Sequence, residues 1–99
     1  MTEFTIMVLN TIKSIPKGKV MTYGQIAAYC DNPRNARGVS RILHGMSRKH
    51  DLPWHRVINS RGTISLTGNP GFIQKELLEQ ELIIVDGKKI DLNIYLYRP

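Results

Sequence analysis

Residues 22–46 constrain the fold more than any other stretch. Two short segments of helical periodicity flank Asp31-Asn32-Pro33, which a helix does not readily cross. The first opens on Thr22-x-x-Gln25, a capping box in which each side chain satisfies an end amide. Tyr23, Ile26, Ala27 and Cys30 then lie along one side. The second runs from about Arg34 to Met46, with Val39, Ile42, Leu43 and Met46 facing inward. Two short helices joined by a tight polar turn predict a helix-turn-helix.

The rest of the chain is short elements around that pair. A helix is expected from Thr2 to Ile15, where Phe4, Val8, Ile12 and Ile15 form one apolar stripe, ended by Pro16-Lys17-Gly18-Lys19. Ser47 to Leu52 reads as a basic loop and Trp54 to Ile58 as extended. Asn59-Ser60-Arg61-Gly62 reads as a turn, Thr63 to Leu66 as a second short strand, and Thr67-Gly68-Asn69-Pro70-Gly71 as a loop. A helix from Ile73 to about Leu82 would bury Ile73, Leu77, Leu78 and Leu82. Ile83–Val85 and Ile90–Tyr97 flank Asp86-Gly87, a strong turn signal, so a C-terminal hairpin is expected. The 99 residues suffice for one α/β domain, small and winged-helix-like, spanning 1–99.

Charge narrows the partners. Fourteen Lys and Arg against eight Asp and Glu leave a net charge of +6, which favours a polyanion. Phe4–Leu9 is interrupted by Asn10 and lacks a leading basic cluster, so it makes a poor signal peptide. Leu82–Val85 is far too short to span a bilayer. A cytoplasmic protein, nucleoid-associated when bound to DNA, is the expectation, with no membrane partner. Cys30 is the single cysteine, so no disulfide can form within the chain.

The predicted third helix and the loop after it carry Arg34, Arg37, Arg41 and Arg48, with Arg37 and Arg41 on one face. Ala36, Gly38 and Ser40 are small enough for a close backbone approach. That face suits a DNA groove, although a solvated charged surface has the same composition. His44, His50 and His55 fit no zinc spacing with Cys30, so neither metal nor cofactor is expected. Spacing alone permits a Cys30–His55 nucleophilic pair, or Cys30 as a small core residue. Trp54 could fill the core, or offer a surface on which an extruded base stacks.

Pro53-Trp54-His55-Arg56-Val57-Ile58 resembles the active-site motif P-C-H-R-V of the O6-alkylguanine-DNA alkyltransferases, with tryptophan in place of the nucleophilic cysteine. That replacement marks the alkyltransferase-like branch of the family. Residues 16–27, PKGKVMTYGQIA, resemble its P-K-G-x-V-x-T-Y-G-x-I-A stretch, and residues 32–39, NPRNARGV, its N-P-x-x-A-R-x-V stretch. The likeness runs from about Thr2 to Leu82.

The resemblance implies a recognition helix in the minor groove and a nucleotide rotated out of the duplex. Arg37 corresponds to the finger that fills the gap, and Tyr23 to the tyrosine that presses on the neighbouring phosphate. Thr22, Gly24, Asn32, Arg34, Ala36, Ser40, Arg41 and Ser60 fall where the family touches DNA. Tyr23, Trp54, Val57, Thr67 and Gly68 would line the lesion pocket. His55 and Glu81 would be the remnant of the relay that activates the thiol. Tryptophan offers only an indole N–H donor, so alkyl transfer is not expected. The implied function is non-enzymatic recognition of O6-alkylguanine by a monomer that directs the lesion to nucleotide excision repair. Thr67 replaces a frequent aromatic residue and Met46 a frequent asparagine. Two rival readings are alkyl transfer through Cys30 and a winged-helix regulator of undamaged DNA.

Overall fold

The computed structural model describes all 99 residues. The first helix, α1, spans Glu3–Lys13, and Thr2 caps it by accepting from the Thr5 amide at 3.1 Å. β1 is the short strand Met21–Thr22, leading directly into α2, Tyr23–Tyr29. Both bonds of the expected capping box form: Thr22 Oγ1 accepts from Gln25 N at 3.0 Å, and Thr22 N donates to Gln25 Oε1 at 3.2 Å. α3 spans Ala36–Met46, β2 is Val57–Ile58, α4 spans Gly68–Gln80 and α5 is the single turn Leu92–Tyr95.

β1 and β2 pair in parallel, Met21 opposite Val57 and Thr22 opposite Ile58. This pair divides the interior. Alternate residues of a strand face opposite ways. Met21 and Val57 therefore enter a helical core with Val8, Ile12, Ile26, Val39 and Leu43. Val20 and Ile58 enter a second core with Ile64, Leu78, Ile83 and Ile90. The pair is short but central, and it fixes the chain on either side of it. No helix is long and apolar enough to cross a membrane.

The architecture is the expected small α/β fold with a helix-turn-helix and short strands, but four expectations of secondary structure are corrected. Trp54–Arg56 forms a 3-10 turn, closed by Arg56 N donating to Pro53 O at 3.0 Å; only Val57 and Ile58 are extended. Thr63–Leu66 is not a strand; Thr63 makes one isolated bridge to Lys89. Gly68–Gly71 is the first turn of α4, not a loop. Pro70 is tolerated there because the first amides of a helix have no intrahelical acceptor. A Cβ on residue 71 would lie 2.3 Å from the Leu66 carbonyl oxygen, so glycine permits this tight entry.

The fourth correction concerns the C-terminal hairpin. Asp86 and Lys89 do exchange backbone hydrogen bonds at 2.8 Å, so the turn is real. The segment beyond it pairs elsewhere: Ile90 N donates to Gly62 O and Lys88 O accepts from Ile64 N. Asp91 caps α5 by accepting from Asn93 N at 2.9 Å, and that local bond breaks the strand its alternation predicted.

Candidate nucleic-acid interface

α3 begins at Asn35, whose Oδ1 accepts from Gly38 N at 3.0 Å. A Cβ on residue 38 would lie 2.5 Å from the Asn35 side chain, so glycine is what leaves room for the cap. Val39 and Leu43 are buried, which turns Arg37, Arg41 and Gly45, at four-residue spacing, to the outside. Arg34 and Asn32 are exposed in the turn before the helix, and Ala36 and Ser40 are half-buried within it. Every ion pair in the protein involves Glu81. Arg34, Arg37, Arg41 and Arg48 therefore carry charge that no internal carboxylate neutralises, as a phosphate-binding surface requires.

The C-terminal end of α3 forms one wall of a small cavity of about 70 Å³. Leu43, His44 and Ser47 face Tyr23, Trp54, Val57, Leu66 and Gln74 across it. Tyr23 is the first residue of α2, and burial pushes its phenol above the ordinary value, leaving a neutral hydroxyl. Trp54 also borders an open groove of about 550 Å³ lined by Ser47, Arg48, Asp51 and Pro53. The indole is therefore a partition between an inner pocket and an outer groove. It is half-buried against the helical core and also lines the cavity, so filling the core and bordering a pocket are not exclusive for this residue.

A charged cluster holds the turn that carries Trp54. His55 packs edge-on to the indole, ring centres 6.3 Å apart. Its Nε2 lies 2.6 Å from Glu81 Oε2 and donates, since an ionised carboxylate can only accept. Arg56 grips the same carboxylate through Nε at 3.0 Å and Nη2 at 2.8 Å, and donates from Nη1 to Ile15 O at 2.9 Å. Gly18 N completes the set at 2.8 Å from Oε1. Burial pushes the Glu81 carboxyl up. Hydrogen bonds from Arg56, His55 and Gly18, with the His55 charge, outweigh that and hold it at about 2. The cluster ties the end of α4 to the 3-10 turn and to the loop after α1.

Of the expected pocket residues, Tyr23, Trp54 and Val57 come together. Thr67 is instead exposed at the head of α4, and Gly68 lines a neighbouring cavity with Phe72 and Lys75; Leu66 is the residue of that segment that reaches the pocket. Thr22 is buried with its hydroxyl engaged in the capping box, while Gly24 has open space beside it. Ser60 is exposed in its turn. The Cys30–His55 pair is not formed: Cys30 is buried with Sγ 3.5 Å from Thr11 Oγ1, and His55 is committed to Glu81. No three His, Cys, Asp or Glu side chains converge to a metal-sized cluster.

Leu43, His44, Ser47, Leu66 and Gln74 were missed as pocket residues. Gln74 replaces Ile73 on the buried side of α4, where its Nε2 donates to the His55 and Val57 carbonyls at 3.2 and 3.1 Å, and Leu82, expected inside, lies past the helix end and is exposed. A glutamine flanked by Ile73 and Leu77 gives no periodic signal of such a role.

Comparison with known proteins supplies the family. Residues 3–83 match the family described as 6-O-methylguanine DNA methyltransferase, DNA binding domain. A DNA base-flipping protein of Vibrio parahaemolyticus is 44% identical over 100 residues, covering 100% of both chains. Alkyltransferase-like protein 1 of Schizosaccharomyces pombe is 39% identical, covering 100% of this chain and 98% of its own. A crystal structure of S. pombe Atl1 in complex with damaged DNA containing O6-carboxymethylguanine superposes with a TM-score of 0.89 at 39% identity, covering 100% of this chain and 98% of that one.

Proposed function

The chain belongs to the family of the 6-O-methylguanine DNA methyltransferase DNA-binding domain, and from that membership we propose that it recognises O6-alkylguanine in duplex DNA without repairing it. The observation that carries the reading is the pocket at the end of the arginine-bearing helix, where Trp54 stands at the position the family's nucleophile would take. The names of its relatives, a base-flipping protein and an alkyltransferase-like protein, support the same reading.

In this reading α3 enters the minor groove, with Arg41 on it and Arg34 in the turn before it toward the phosphates. Arg37 fills the gap left by the extruded nucleotide, and Tyr23 pushes on the adjacent phosphate. Extrusion costs a few kcal/mol of stacking and pairing, which an inserted guanidinium partly offsets. The extruded base then meets Tyr23, Trp54 and Val57. Ligand pockets usually enclose about 300 Å³ or more, so the inner cavity must widen to admit a base. Displacing the Trp54 partition joins it to the outer groove. His55 and Glu81 remain as a structural clamp, with no thiol to activate. The persistent complex is read as a signal for nucleotide excision repair, delivered by a monomer.

Titrating the protein against matched duplexes containing O6-methylguanine or guanine, at one stated salt concentration, tests this reading. A clear preference for the adduct is expected, accompanied by a change in Trp54 emission. Arg37→Ala should weaken lesion binding more than binding to undamaged duplex. Equal affinity for both duplexes would favour a reader of undamaged DNA.

A further inference from the structure

We infer that His44 is a specificity-determining residue of the pocket, giving an N–H to the acceptor edge of the extruded base. The inference rests on the reading that the lesion enters this cavity. His44 lies on the C-terminal turn of α3, seven residues beyond Arg37 and three beyond Arg41, on the outward side of the helix. It is exposed, yet it also lines the inner cavity. It therefore stands where the groove-facing surface meets the pocket mouth. Gly45 beside it has no neighbouring atom within 4 Å of where a Cβ would sit, so the chain itself leaves the approach open.

The hydrogen-bonding groups around the cavity divide into used and unused. Gln74 is engaged by the chain itself, through its bonds to the His55 and Val57 carbonyls. His55 is held by Glu81. The other polar groups of the wall are the Tyr23 and Ser47 hydroxyls, the Trp54 indole N–H and the His44 ring. Of these His44 alone is exposed, so its ring N–H is the donor that meets an incoming base at the pocket mouth.

The chemistry of the lesion makes such a donor discriminating. Guanine presents an N–H donor at its ring N1, beside the O6 acceptor. Alkylation at O6 fixes the ring in the form without that hydrogen, so N1 becomes an acceptor and the ether oxygen remains one. An N–H placed opposite N1 is satisfied by the alkylated base and confronts another N–H in guanine, whereas O6 accepts in both. Leaving such a group unpaired in a closed pocket is what makes hydrogen-bond readout selective.

The test compares wild type, His44→Ala and His44→Gln on duplexes with O6-methylguanine and with guanine, each titrated across a range of salt. Loss of one net hydrogen bond should weaken lesion affinity about three- to tenfold in His44→Ala. Affinity for the guanine duplex and the salt slope should stay unchanged. His44→Gln keeps a terminal N–H donor and should recover part of the preference. Equal loss on both duplexes with a shallower salt slope would overturn the inference and make His44 a phosphate contact. Unchanged lesion affinity in His44→Ala would overturn it as well. If wild type itself shows no preference, the lesion-binding reading fails, which is a separate outcome.

Discussion

Replacing Glu81 by alanine should be among the most destabilising single changes in this protein. The carboxylate is 7% exposed and accepts from Arg56, His55 and Gly18. Its removal strands Arg56, whose side chain is only 18% exposed and keeps a single bond to Ile15 O. It also strands the Gly18 amide and the His55 Nε2 hydrogen. Removing one member of a buried charged pair costs about 3–5 kcal/mol, because the partner stays buried without compensation. A domain of this size has about 5–15 kcal/mol to lose. At about 4–8 °C per kcal/mol, the melting temperature should drop by at least about 12 °C. Trp54 is the only tryptophan and sits on the turn that the cluster holds, so its emission reports directly on the loss. Urea titration followed by this emission should give a lower midpoint with an unchanged slope. A loss under about 1 kcal/mol, the range of exposed ion pairs, would refute the view that the cluster holds the site together.

Further outcomes follow from the same contacts. The Glu81 carboxyl is held at about 2, below its ordinary 4.5, so its contribution to stability is complete above pH 4.5 and is lost as pH falls toward 2. Acid titration should show that loss in wild type, and Glu81→Gln should lack the component. Gly71→Ala places a Cβ against the Leu66 carbonyl and should cost about 1–3 kcal/mol in a thermal melt. An unchanged melt would show that the entry to α4 is slack. Gly45→Ala meets nothing within the chain and should stabilise the fold by about 0.5–1 kcal/mol while weakening DNA binding. Unaltered affinity in a fluorescence anisotropy titration would mean that DNA does not approach Gly45.

The helix-turn-helix was legible in the sequence because its signals are local. The Thr22–Gln25 capping box needs four residues, and the stripe from Val39 to Met46 needs two turns. The arginine face was legible for the same reason. What failed depended on partners distant in sequence or on a local helix start that overrode the expected pattern. The alternation at Ile90–Leu96 is a strand pattern, but Asp91 capped a helical turn and Ile90 paired with Gly62. Gly68-Asn69-Pro70-Gly71 has loop composition, yet a helix accepts proline and glycine in its first turn. The pocket was half legible. Tyr23, Trp54 and Val57 were named from family motifs, whereas Leu43, His44 and Ser47 reach it through the direction of α3, which no spacing encodes.

The central claim is recognition without chemistry, and one incubation tests it. Duplex DNA carrying a radiolabelled O6-methyl group is mixed with excess protein, and the complex is then denatured and separated. The account predicts that a stable complex forms and that all label stays with the DNA, because Trp54 offers no nucleophile and Cys30 is buried against Thr11. Stoichiometric label on the protein would contradict it.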